Sequence, residues 1–265
     1  MPILTALFLG VVQGACEFLP ISSSGHLVLG ERLVGVAEPG LLLEVLLHAA
    51  TLGSILVVYR ARLGEIVVGS VRALSSGRGA ADAAGARLAV MLLVGNLATG
   101  VAVLLLRPLV EPLFESPRAV SLALLGTAAV LLLSVRAGRS GSHPLRWRDV
   151  LLIGLVQGIA VVPGFSRSGF TITAGLLLGV ERERAVEFSF LLSVPAVAAA
   201  TLLEVAGDAR SGVGFSPAYL PAMAAAFVVG IAAIRWVVAW VRSDRFWLWS
   251  FWCLAVGILG LLFLA

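Results

Sequence analysis

Long apolar runs alternate with short arginine-bearing segments along the chain. Six uninterrupted runs, 41–59, 88–106, 119–135, 187–204, 217–241 and 246–264, approach the roughly 20 residues that a helix needs to cross about 30 Å of hydrocarbon. They predict six membrane-spanning helices. Two further apolar segments, 3–19 and 150–162, run straight into Pro, Ser and Gly clusters, LPISSSGH at 19–26 and PGFSRSGF at 163–170. Broken helices of this kind are tolerated at membrane depth only where the freed backbone is buried in protein or faces a polar cavity. Gly10xxxGly14 and Gly154xxxGly158 predict close helix approach within the same two segments.

The charge pattern adds an orientation. The segments 60–87, 136–149, 181–184 and 242–245, read as loops, hold thirteen Arg, whereas the alternate ones hold only Arg32, Arg107, Arg118 and Arg210. Positive-inside counting puts the first set in the cytoplasm. This works only if 1–40 enters from and returns to the outside while 150–184 does so from the inside, which makes both broken segments re-entrant hairpins.

A shift of 144 residues lays LGVVQGACEFLPISSSGH (9–26) over IGLVQGIAVVPGFSRSGF (153–170) with seven identities in eighteen positions, and Gly35-Val36 over Gly179-Val180. The expected fold is an all-α integral membrane protein forming one membrane domain, 1–265. It is an inverted-topology repeat, 1–140 and 145–265, each half one re-entrant helical hairpin plus three transmembrane helices. Because three spans is an odd number, the second half enters inverted, an architecture in which the site lies at the repeat interface near the midplane.

Composition removes the competing classes. With 60% hydrophobic and 13% charged residues and a mean hydropathy of +1.04, the chain is far from a soluble domain. The 19 basic residues are all Arg and are spread over the whole length, which argues against a nucleic-acid partner. Cys16 and Cys253 lie in apolar stretches without metal-ligand or disulfide-framework spacing, and read as packing residues. The first residues lack the basic region and cleavage site of a signal peptide.

Where the repeats differ, the chemistry concentrates. Glu17 aligns with Val161, Ser23 with Arg167 and His26 with Phe170, so one hairpin supplies a carboxylate, a hydroxyl and an imidazole and the other a guanidinium. All four are expected to converge where the hairpin tips meet. An ionisable side chain at this depth is functional by default, the alternative for Glu17 being a structural carboxylate bonded to Ser22–Ser24. Gln13, one helical turn before Glu17, reads equally as a site residue and as interhelical packing. Ser22, Ser24 and Gly25 in one hairpin, and Ser166 and Ser168 flanking Arg167 in the other, mark helix N-termini. Such ends bind anions, although Ser there also caps helices. Two such ends and one Arg suggest a phosphate or diphosphate. His26 is a candidate acid or base, with Ser23 or water as nucleophile. Glu44 and His48 share a helical face and could hold a structural hydrogen bond or join the site; His143 is expected to be solvated.

These residues carry a family resemblance. QGACEFLPISSSGH (13–26) resembles the first signature of the undecaprenyl-diphosphate phosphatase family of the bacitracin-resistance type, and PGFSRSGFT (163–171) its second; LEVLLHAATLGSILVVYR (43–60) and EFSFLLSVPA (187–196) extend the likeness. The resemblance implies a multi-pass enzyme of the plasma membrane that removes the terminal phosphate of a polyprenyl diphosphate and so recycles the cell-wall lipid carrier. It implies catalytic roles for Glu17, Ser23, His26 and Arg167, and substrate contacts from Gln13, Ser22, Ser24, Gly25, Ser166, Ser168 and Thr171. It also implies a divalent cation, magnesium, with Glu17 as its carboxylate; many members carry Glu where this chain has Gln13. A secondary transporter or flippase of a lipid phosphate is the alternative from the residues alone, and a homodimer stays open.

Overall fold

A computed structural model describes residues 2–34, 41–76, 83–137, 143–208 and 216–264. Within them the chain is helical: α1 Ile3–Cys16, α2 Ser23–Val34, α3 Leu41–Val58, α4 Arg60–Ser76, α5 Ala83–Val110, α6 Pro117–Leu133, α7 Trp147–Ile159, α8 Arg167–Leu177, α9 Arg182–Asp208, α10 Tyr219–Arg242 and α11 Trp249–Phe263. The extended pairing found among the described residues is a single bridge, His143 to Val180. Local chemistry sets the boundaries. Ser116 caps α6, its Oγ accepting from the Ala119 N–H at 3.2 Å, with Pro117 at the first helical position, where a missing N–H costs nothing.

Among the described residues four helical stretches are long and apolar enough to span a membrane: Ala84–Glu115, Pro117–Arg136, Tyr219–Arg242 and Phe246–Phe263. These match the expected runs 88–106, 119–135, 217–241 and 246–264. The expected span 41–59 is α3, which turns by 79° into α4 and passes the test only together with it. The expected span 187–204 lies inside α9, which carries Pro195 in its interior and is not among the four. Its buried side chains are mostly apolar, Phe188, Phe190, Leu191 and Leu192, with Ser189 and Ser193 among them. Within the segment 60–87, read as an arginine-rich loop, residues 60–76 instead form α4 and residues 83–87 the start of α5. Its valines and leucines recur at helical spacing, with Val67, Val71 and Leu74 left exposed. His143 is buried as well, its Nδ1 and Nε2 each 2.9 Å from a main-chain oxygen, of Pro144 and Leu178. The pairing of Gly35-Val36 with the second repeat lies outside the described residues, as do Arg78, Arg139 and Arg210.

Both broken segments are helix, break and helix: α1 and α2 flank 17–22, and α7 and α8 flank 160–166. The breaks are buried in protein, as the hydrocarbon requires. Phe18, Leu19 and Ile21 join a core with Ile172 and Leu176 of α8, Phe190 of α9 and Ile234 of α10, and Phe18 meets Phe190 edge to face at 5.7 Å. Small residues bring the incoming arms against long helices elsewhere in the chain. α1 lies on α10, where a Cβ on Gly10 would stand 2.2 Å from the Ala222 carbonyl oxygen and one on Gly14 2.5 Å from that of Ala226. α7 lies on α5 in the same manner, a Cβ on Gly154 falling 2.3 Å from the Gly95 oxygen.

Candidate active site

The tips of the two broken segments touch. A Cβ on Gly25 would come 3.0 Å from the Gly164 Cα, and Gly164 itself holds φ +96°, a left-handed conformation open to glycine. Ser168 Oγ donates to the Leu19 carbonyl at 3.3 Å. α6 braces the second tip: Thr127 Oγ1 donates to the Gly164 carbonyl at 2.9 Å and accepts the Ser166 N–H at 3.1 Å.

Glu17 sits at this junction, 8% exposed, in the first residue past α1. Its Oε1 pairs with the Arg167 guanidinium. Its Oε2 accepts from Gln13 Nε2 at 3.0 Å and from Ser23 Oγ at 3.2 Å. His48 Nε2 stands 3.7 Å from the same oxygen. The carboxylate thus ties the first break to the first residue of α8 across 150 positions of sequence. Low local dielectric strengthens such a network when its members are satisfied.

The expected residues separate into groups. Glu17, Ser23 and Arg167 come together, with Gln13 beside them. Ser22 and Ser166 act as caps, accepting the Gly25 and Gly169 N–H groups at 3.2 and 3.1 Å, and they orient the first turns of α2 and α8. Ser22 takes φ +69° to do so. Ser24 and Ser168 pair with those capping hydroxyls at 3.4 and 3.2 Å. Thr171 points into α9, 2.5 Å from Ser189 Oγ and donating to the Arg167 carbonyl at 2.8 Å.

His26 is not brought to the carboxylate. Its Nδ1 faces the Ser22 carbonyl at 2.8 Å and its Nε2 accepts the Trp252 indole N–H at 2.8 Å, which fixes the neutral Nδ1–H tautomer. The imidazole nearest Glu17 belongs to His48. The pairing expected between Glu44 and His48 is with the Glu44 main-chain oxygen, which accepts from His48 Nδ1 at 3.0 Å.

A cavity of about 710 Å³ opens from this junction, within the range of small-molecule sites. Glu17, Ser22, Ser23, Ser24, His48, Ser166 and Arg167 form one end. Asn96, Thr99 and Gln157 line the wall, and beyond them α5 and α9 supply apolar side chains. Of the three wall residues, only Gln157 lies in the repeated segment, where the shift of 144 residues sets it against Gln13. A signal existed in Asn96 and Thr99, two polar residues three apart in an apolar run. Thr99 Oγ1 spends its one proton on main-chain oxygens, 2.8 Å from Gly154 and 2.9 Å from Gly95. It must therefore accept Gln157 Nε2 at 3.1 Å, which orients the amide and leaves Gln157 Oε1 buried without a partner. Trp252, the partner of His26, gave no sequence signal.

The described residues contain no cluster of three or more His, Cys, Asp or Glu that could cage a metal ion. Magnesium asks for less, often one or two carboxylates with substrate phosphates and water completing the shell. Glu17, which lines the cavity, fits that sparse demand with phosphate oxygens supplying the rest, whereas Gln13 is buried behind the carboxylate and does not line the cavity.

Four helical stretches long and apolar enough to cross a membrane, around a buried carboxylate paired with a partly exposed guanidinium, mark an integral membrane protein. The comparisons with known proteins make the class specific. Residues 6–259 match the family model for the bacitracin resistance protein BacA, and the chain belongs to that family. It is 40% identical over 265 residues to an undecaprenyl-diphosphatase of Desulfatibacillum aliphaticivorans, covering 96% of each chain. A protein of the same name from Desulforapulum autotrophicum is 38% identical over 271 residues, covering 99% of this chain and 98% of the relative. One from Korarchaeum cryptofilum is 37% identical over 260 residues, covering 97% and 98%.

Proposed function

We propose that this protein hydrolyses undecaprenyl diphosphate to undecaprenyl phosphate and inorganic phosphate, returning the lipid carrier to cell-wall polymer synthesis in the plasma membrane. Relatives named undecaprenyl-diphosphatase over nearly the whole chain support this reading. The observation that carries it is the single cavity with a charged, hydroxyl-rich end and an apolar continuation, the shape of a lipid with a phosphorylated head.

The chemistry follows from the contacts around Glu17. Phosphoryl transfer is mainly positioning and charge stabilisation. Arg167, today paired with Glu17, is the group best shaped to take two phosphate oxygens. When a diphosphate draws it away, the Glu17 carboxylate is released from its ion pair. Ser23 already donates to that carboxylate, so Glu17 removes the proton as Ser23 Oγ, or a water in its place, attacks the terminal phosphorus. The bond from that phosphorus to the bridging oxygen breaks, and undecaprenyl phosphate leaves with the electron pair. If Ser23 attacks, water then splits the phosphoserine to release phosphate. The first turns of α2 and α8 direct their positive dipole ends toward the charge that builds on the phosphate oxygens. Magnesium held by Glu17 would add positive charge at those oxygens.

The same proposal includes one membrane domain of two inverted repeats, 1–140 and 145–265, with both broken segments re-entrant. The matching caps of α2 and α8 and the matching glycine contacts of α1 on α10 and α7 on α5 support it. Transporters share such architecture, but transport alone does not ask for a serine hydroxyl bonded to a carboxylate. Purified Arg167→Ala and Glu17→Ala variants are expected to release almost no phosphate from a long-chain prenyl diphosphate. Near-normal turnover in both would remove the assignment of this site.

A further inference from the structure

We infer that the apolar continuation of the cavity is a lateral slot between α5 and α9 that holds the isoprene units nearest the diphosphate, and that Gly100 sets its width. The inference rests on the phosphatase reading above and concerns which chain that site accepts. Leu93, Leu97, Gly100 and Leu104 form one stripe of α5 along the cavity, facing Pro195 and Ala199 of α9. Leu93 is 60% and Leu104 71% exposed, so the slot opens sideways from a helix long and apolar enough to span the membrane. A lipid anchored by its head at Arg167 can therefore leave its remaining chain in the bilayer.

Gly100 stands out in this wall. Glycine inside a helix is unfavourable relative to alanine, and the glycines at Gly95, Gly154 and Gly158 are explained by atoms within 3.0 Å of an added Cβ. At Gly100 nothing lies within 4 Å. Neither backbone conformation nor helix contact requires glycine there, and the space a side chain would occupy belongs to the slot. Since lipid tails are as apolar as leucine, the slot discriminates by fit and not by hydrophobicity. A Cβ at this position meets no protein atom within 4 Å, and a bulky side chain built from it narrows the path of the chain.

The test compares Gly100→Phe with wild type on undecaprenyl diphosphate and on methyl diphosphate, which has no chain to enter the slot. The ratio of kcat/KM for the long substrate to that for the short one is expected to fall at least tenfold. Val101→Phe adds the same bulk one residue away on the outer face and is expected to leave the ratio unchanged. A ratio within twofold of wild type in Gly100→Phe overturns the slot, as does an equal fall in Val101→Phe. Binding is read separately, as the rise in Tm that undecaprenyl phosphate gives the wild type and is expected not to give Gly100→Phe. Should the wild type release no phosphate from undecaprenyl diphosphate, the phosphatase reading fails while the Tm comparison still decides the slot. An equal rise in both proteins, or no rise in the wild type, counts against it.

Discussion

Replacing Glu17 by Gln keeps the size of the side chain and removes its charge. The amide retains one oxygen where the carboxylate has two, so Arg167, Gln13 and Ser23, which now share Oε1 and Oε2, cannot all be satisfied. Breaking a fully buried ion pair costs about 3–5 kcal/mol. Here the Arg167 side chain is 23% exposed toward the cavity and water can reach it, which lowers the figure to about 1–2 kcal/mol. A loss of that size is expected as a drop of several degrees in Tm, with the protein still folded. The kinetic effect is larger, because a positioned general base contributes about 10²–10⁴ in rate, or roughly 3–5 kcal/mol of barrier. Phosphate release from undecaprenyl diphosphate in detergent, followed beside thermal unfolding of the same sample, separates the two. Turnover within about threefold of wild type, whatever the Tm, would refute the role of Glu17 as base.

Other predictions address the scaffold and the cation. Gly10→Ala places a Cβ 2.2 Å from the Ala222 oxygen and is expected to cost about 1–3 kcal/mol of stability by overpacking, whereas Gly64→Ala, with nothing within 4 Å, should gain up to about 1 kcal/mol from helix propensity; opposite shifts in Tm check the pair. Thr127→Val, fully buried, removes two hydrogen bonds to the second tip and should cost about 1–3 kcal/mol and lower kcat by misplacing Arg167. A chelator is expected to suppress phosphate release and added magnesium to restore it.

Much of this arrangement was legible because charge is scarce in an apolar chain. Glu17 and Arg167 stand out against their neighbours, and the Ser, Pro and Gly clusters that interrupt apolar runs locate both helix breaks within a few residues. The shared pattern of the two segments likewise anticipates the paired caps at Ser22 and Ser166. What was not legible depends on tertiary direction. Sequence places both His26 and His48 near the site, but only the fold shows that Trp252 takes the first and that the second turns to Glu17. The arginines of 60–76 read as a loop because they set topology, although the valines between them follow helical spacing. The serines of the two tips illustrate the same point: their positions were evident, yet it takes coordinates to see that Ser22 and Ser166 satisfy backbone N–H groups while Ser23 alone reaches the carboxylate.

The central claim is that the two helix breaks together form a hydrolytic centre. The direct measurement is phosphate release from undecaprenyl diphosphate by the purified chain in detergent, where no gradient exists. One phosphate released per lipid, catalytically and lost in Arg167→Ala, is the predicted result. No release in detergent, combined with movement of the intact lipid diphosphate across the bilayer of reconstituted vesicles, would contradict it.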